Sequence, residues 1–124
     1  MKMSNAVWML GMLGLVGCGS TVAGITGKQA DAVNVATTAT CDSYDKCGEI
    51  ASGKKYSTRA ECEADNRSFW NDRWPAASCD GKINGDKLEF CETAIQATSC
   101  DNFFDQLQTV YGKCAREDVC SGKQ

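Results

Sequence analysis

Nine cysteines and no histidine define the chemistry open to this chain. A thiol can close a disulfide, ligate a metal, attack an electrophile or carry a thioether, and each use has its own spacing. Without His there is no Ser-His-Asp or Cys-His nucleophile, no His-bearing zinc site and no side chain that titrates near neutral pH by default. Eight of the cysteines lie between Cys41 and Cys120, and no Cys-x-x-Cys pair occurs among them. That pattern spells out no zinc knuckle or ribbon. Disulfides are the expected use, with Cys41, Cys47, Cys62, Cys79, Cys91, Cys100, Cys114 and Cys120 closing four bridges. About a hundred connectivities are open to eight cysteines. On one helix Cys41 and Cys47 would stand about 9 Å apart along the axis, too far to bond, so each is expected to reach another element, as are Cys114 and Cys120.

The other reactive side chains offer less. Glu61 and Asp65 are an i, i+4 acidic pair on a predicted polar helix face, and no carboxylate dyad of glycosidase type is spelled out. Asp80 to Asp86 carries oxygen ligands but departs from the order of a calcium loop, lacking Asp or Asn at position 82 and a Glu at its far end. It reads as a turn and a helix cap. Lys54, Lys55 and Arg59 cluster around Tyr56, a solvated loop with an anionic glycan or lipid headgroup as the alternative. Trp70 and Trp74 stand at helical spacing and form either the core or an exposed binding ridge. The net charge of −3 and a pI near 4.9 argue against a nucleic-acid partner, which needs clustered Lys and Arg. No catalytic residue, metal or cofactor is expected.

Cys18 stands apart from the other thiols. Met1 to Asn5 holds Lys2, and Ala6 to Val16 is uncharged and mostly apolar. That run spans roughly 16 Å as a helix, about half of a bilayer core, which suits a signal peptide and not a permanent membrane span. It ends in Leu15-Val16-Gly17-Cys18. Here the chain resembles bacterial lipoprotein precursors, whose cleavage motif has Leu at −3, a small residue at −1 and Cys at +1. The resemblance implies a diacylglycerol thioether on Cys18, cleavage after Gly17 and acylation of the freed amine. Gly19 is not the Asp that retains many such proteins in the inner membrane, so the outer membrane is the expected address. Removing Cys18 from nine leaves an even eight, which agrees with four bridges.

These residues are to be positioned by three segments: a signal peptide over 1–17, a lipidated N-terminus and flexible tether over 18–40, and a disulfide-rich domain over 41–124. The tether is expected because residues 19–40 are rich in Ala, Thr, Gly and Val, with only Lys28 and Asp31 charged. The domain has sixteen large apolar side chains, a thin core that covalent staples of about 2–4 kcal/mol each would have to support.

The fold class is all-α, with three to five short helices. Thr58 followed by Glu61 is a capping box, opening a helix that places Cys62, Phe69, Trp70 and Trp74 on one broad arc and ends before Pro75. Asp86 with Glu89 marks a second start, after which Leu88, Cys91, Ile95 and Thr98 recur at helical spacing. Phe103, Phe104, Leu107, Val110 and Tyr111 form the clearest stripe, with Ser99 or Asp101 as cap and Gly112 as stop. Short helical turns are expected at Cys41 to Cys47 and Arg116 to Val119.

The cysteine frame, Lys54-Lys55-Tyr56, Trp70-x-x-x-Trp74 and the Cys91 to Cys100 helix end resemble a family of small cysteine-rich bacterial lipoproteins of unknown function, some linked to natural-product biosynthesis. That resemblance implies a location and a fold but no catalytic residues. The expected function is a membrane-anchored, non-catalytic interaction module of the cell envelope, with an envelope protein or a small ligand as partner. The alternatives are a small-ligand or lipid-handling protein and an exported hydrolase inhibitor that would use the Ala76 to Asp86 segment.

Overall fold

The computed structural model describes residues 27–122. The expected signal peptide, Cys18 and the first part of the expected tether lie outside the described residues. The elements are α1 (Gln29–Lys46), α2 (Arg59–Arg73), α3 (Ala76–Cys79), α4 (Gly85–Gln96), α5 (Phe103–Val110), a 3₁₀ turn (Tyr111–Cys114) and α6 (Arg116–Val119). No strand forms among the described residues; Ile50 and Tyr56 make an isolated parallel bridge. The all-α expectation holds, with four helices of two turns or more and the single turns α3 and α6.

The main correction concerns the tether. Residues 29–40 are the first two-thirds of α1, and Ala32, Val33, Val35, Ala36, Thr37, Ala39 and Thr40 are buried along them. The small side chains that suggested a leash let two other helices approach α1 closely. On the α2 side, Trp70 Nε1 donates to Thr40 Oγ1 at 3.2 Å and Cys41 bonds Cys62. On the α4 side, Ser43 Oγ donates to the Ile95 carbonyl at 2.9 Å. Helix stability here comes from burial on both flanks, since Val and Thr are weak helix formers.

The start of α1 is pinned as well. Its Lys28 N-cap makes no side-chain cap bond; instead Gln29 N donates to Asp80 Oδ1 at 3.0 Å, from a distant loop. The Gln29 amide donates to Asn71 Oδ1 at 2.9 Å and to the Trp74 carbonyl at 2.7 Å. Gly81 N donates to the Gly27 carbonyl. The folded body therefore includes the residues from Gly27 to Thr40 and does not start at Cys41.

α2 follows the expected rules. Thr58 Oγ1 accepts from Glu61 N at 3.2 Å, and the Glu61 carboxylate accepts from Ser57 N at 3.0 Å. The helix ends at Arg73, ahead of Pro75. α4 starts two residues earlier than expected, because Asn84 rather than Asp86 is its cap: Asn84 Oδ1 accepts from Lys87 N at 3.1 Å. Leu88, Cys91, Ile95 and Thr98 are buried as the spacing requires. α5 has no side-chain cap; Asn102 enters it in the left-handed region, and the Ser99 hydroxyl accepts from Asp101 N. Gly112 does not stop the chain, which tightens into the 3₁₀ turn through Cys114.

Four disulfides tie these elements together: Cys41–Cys62 joins α1 to α2, Cys47–Cys100 joins the end of α1 to the α4–α5 loop, Cys79–Cys120 joins α3 to the end of α6, and Cys91–Cys114 joins α4 to the 3₁₀ turn. Cys41 is not paired with Cys47, as their separation along α1 requires, and Cys114 and Cys120, which lie on separate elements, are not paired with each other. Each bridge shortens the unfolded ensemble by closing a loop of more than twenty residues, worth typically about 2–4 kcal/mol.

Of the two readings of Trp70 and Trp74, the core is the one found, and the alternative of an exposed binding ridge is corrected. Both side chains are 0% exposed and stack on each other with centroids 4.7 Å apart. Trp74 Nε1 donates to the Cys114 carbonyl at 2.9 Å. Satisfied indoles packed in this way are core. Phe69 and Tyr111 complete the cluster. A second aromatic group, Tyr44, Tyr56, Phe103 and Phe104, fills the other end of the body.

Candidate functional site

The side chains that looked reactive in sequence are held in structural pairs. Asp65 accepts a short hydrogen bond from the Tyr56 hydroxyl, and Asn66 Nδ2 donates to the Cys62 carbonyl at 2.9 Å. Burial and the Asp65 bond raise the Tyr56 phenol far above its usual range. Glu61 is taken up by the α2 cap. The expected basic cluster divides: Arg59 pairs with Asp42 at 2.9 Å and Glu63 at 2.8 Å, whereas Lys54 and Lys55 are exposed and Lys55 lies over the Tyr56 ring. The Asp80 to Asp86 segment supplies Asp80 to the start of α1 and Asn84 to the start of α4. No group of three or more His, Cys, Asp or Glu side chains is placed to hold a metal among the described residues. The Ala76 to Asp86 segment is fastened at Cys79, Asp80 and Asn84, leaving Ala76 to Ser78 and Gly81 to Lys82 exposed.

A surface concavity lies instead between α1 and α4. Asn34, Val35, Thr38, Ala39 and Asp42 supply its α1 side, Glu92 and Gln96 its α4 side, and its volume is about 230 Å³. The α1 positions fall at i, i+4 and i+8, so one side of the helix forms a continuous wall. A shallower depression continues it through Asp42, Ser43, Lys46 and Gln96.

The trough has an apolar floor and a polar rim. Asn34 Oδ1 accepts from Arg67 at 3.2 Å, and the Asp42 carboxylate is committed to Arg59. Glu92 accepts from Gln96 Nε2 at 3.3 Å. Burial raises the Glu92 carboxyl above the usual range, with the neighbouring Glu89 charge adding to it. Such a site can seat a small polar group or a partner side chain, with Thr38, Glu92 and Gln96 as its hydrogen-bonding edge. The trough was missed in sequence because four of its seven lining residues lie in the segment read as tether; the recurrence of small residues at 35, 39 and 43 was the available signal. Two large apolar side chains are exposed elsewhere: Phe90 on α4, under Lys113, and Phe104 on α5.

Residues 41–122 match a family of unknown function (DUF6184). The chain belongs to this family. The matched segment holds all eight bridged cysteines and both core tryptophans, and it begins partway along α1. In this member of the family, the twelve α1 residues before Cys41 are as deeply packed as those that follow. No curated protein and no solved structure matches the chain.

Proposed function

We propose that this protein is a cell-envelope lipoprotein, anchored through lipid on Cys18, whose helical body is a non-catalytic binding module. The observation that carries the reading is the cysteine balance. Four disulfides consume every other cysteine, which leaves one thiol, and that thiol ends the Leu15-Val16-Gly17-Cys18 motif. A body held by four bridges also suits an oxidising, exported setting. No helix among the described residues is long and apolar enough to cross a membrane, so in this reading the lipid is the attachment. At about 0.8 kcal/mol per buried methylene, two or three acyl chains hold a body of this size almost permanently. Gly19 favours the outer membrane as its address.

The reading of the body as a binder draws on the reactive side chains being tied up in caps, ion pairs and core hydrogen bonds, while the α1–α4 trough stays open. An envelope protein is the preferred partner. The trough also favours a second reading, a small-ligand-handling protein, with Glu92 and Gln96 as the polar contacts. Replacing Cys18 with Ser tests the anchor: the protein is expected to move from the membrane fraction to the soluble exported fraction with its four bridges intact. Retention of the variant in the membrane fraction would contradict it.

A further inference from the structure

We propose that the Cys47–Cys100 bridge is a surface thiol–disulfide exchange site, opened by an external dithiol while the other three bridges stay closed and the helical body stays folded. Such a site is a property of the body and does not depend on the fate of Cys18.

Exchange needs a thiolate to reach one sulfur of the bridge, so exposure sorts the four bridges by reactivity. Cys41, Cys62, Cys79, Cys91 and Cys114 are all 0% exposed. The Cys41–Cys62 and Cys91–Cys114 bridges are therefore buried at both ends and Cys79–Cys120 at one, with Cys120 half-buried against the core. Cys47 is half-buried too, but its partner Cys100 is exposed, the one bridged cysteine that is. Both stand outside the helices: Cys47 caps the end of α1 and Cys100 lies in the α4–α5 loop. The bridge spans 53 residues, the widest separation of the four, so loop closure does not make it the weakest. Access, which governs rate, is what singles it out.

In the exchange, one thiolate of the dithiol attacks Cys100 Sγ, the S–S electron pair departs on Cys47 Sγ, and that sulfur takes up a proton. The second thiolate then attacks the reagent's own sulfur in the mixed disulfide. Cys100 leaves and is protonated to the thiol, and the reagent departs as a cyclic disulfide, oxidised by the two electrons the protein bridge has gained. The junction that the bridge spans is held by other contacts as well. Ser43 Oγ donates to the Ile95 carbonyl at 2.9 Å, and Lys46 Nζ donates to the carbonyls of Gln96 at 2.9 Å and Thr98 at 3.3 Å. Tyr44 meets Phe103 edge-on with ring centroids 5.1 Å apart, and Ile95, Thr98 and Phe103 are buried. Opening the bridge therefore frees two thiols at this end of the body and leaves α1 packed on α4. α1 remains bonded to α2, and α4 to the 3₁₀ turn.

Graded reduction of the full chain reads the order of opening. Any free thiol is first blocked with N-ethylmaleimide, and the protein is then treated with dithiothreitol at neutral pH without denaturant. Samples are quenched with iodoacetamide over time and mapped by peptide mass, with the far-ultraviolet circular dichroism of each recorded. Cys47 and Cys100 are expected to be alkylated at least about tenfold faster than any other pair, with the helical signal unchanged when only these two thiols are free. A Cys47→Ser, Cys100→Ser double variant is expected to fold with three bridges and to take up no iodoacetamide in the time the native bridge needs to open. Eight thiols appearing together, earlier opening of Cys79–Cys120, or loss of the helical signal with the first two thiols would overturn the proposal. A double variant that fails to fold would overturn it as well, since the bridge would then be required by the fold.

Discussion

At the scale of single residues, the aromatic core and one carboxyl are the sensitive points. Trp70 is enclosed by Trp74, Phe69 and Tyr111, and its indole N–H is satisfied by Thr40 on α1. Trp70→Ala is therefore expected to cost about 3–5 kcal/mol, read as a fall in the urea midpoint of the oxidised protein; a loss below 1 kcal/mol would argue against its place in the core. Glu92 behaves differently because burial raises its carboxyl in the fold. A carboxyl whose folded value lies above its unfolded one costs stability once ionised; the cost is absent below the unfolded value and complete above the folded one. Glu92→Gln should thus stabilise slightly at neutral pH, by about 0.5 kcal/mol or less. The gain should shrink to nothing in acid, where the native carboxyl is protonated in both states. Urea midpoints of the two proteins at neutral and acid pH check the sign.

At the scale of elements, α1 decides whether the body folds. A chain beginning at Gly27 should refold to the native, fully oxidised form, whereas one beginning at Cys41 should not, as judged by helical circular dichroism and disulfide mapping. Equal refolding of both would contradict the packing of residues 29–40. This helix also shows where sequence reasoning stopped. α2 was legible because its start and end are local chemistry: a Thr58–Glu61 cap and Pro75. The start of α4 was displaced by two residues because Asn84 and Asp86 are both good caps, and tertiary bonds from Asn84 to Val119 and Ser121 choose between them. α1 carried no such local mark. Its Val and Thr are weak helix formers and its start has no side-chain cap, so the cover of α2 and α4 fixes the helix, and that information is not within the segment. The trough was hidden with it, since Asn34 to Ala39 lay in the misread stretch. The eight bridged cysteines were legible as a set, but their connectivity depends on which helices meet.

At the scale of the whole molecule, the proposed reading joins four covalent staples that hold the fold to a ninth cysteine, Cys18, which on that proposal carries lipid. The intact mass of membrane-extracted protein, with and without reduction before alkylation, tests this most directly. The account predicts a chain beginning at Cys18 and bearing acyl groups, which takes up no alkylating agent until reduced and then takes up eight. A chain that retains residues 1–17 or lacks lipid, or thiols that alkylate without reduction, would contradict it.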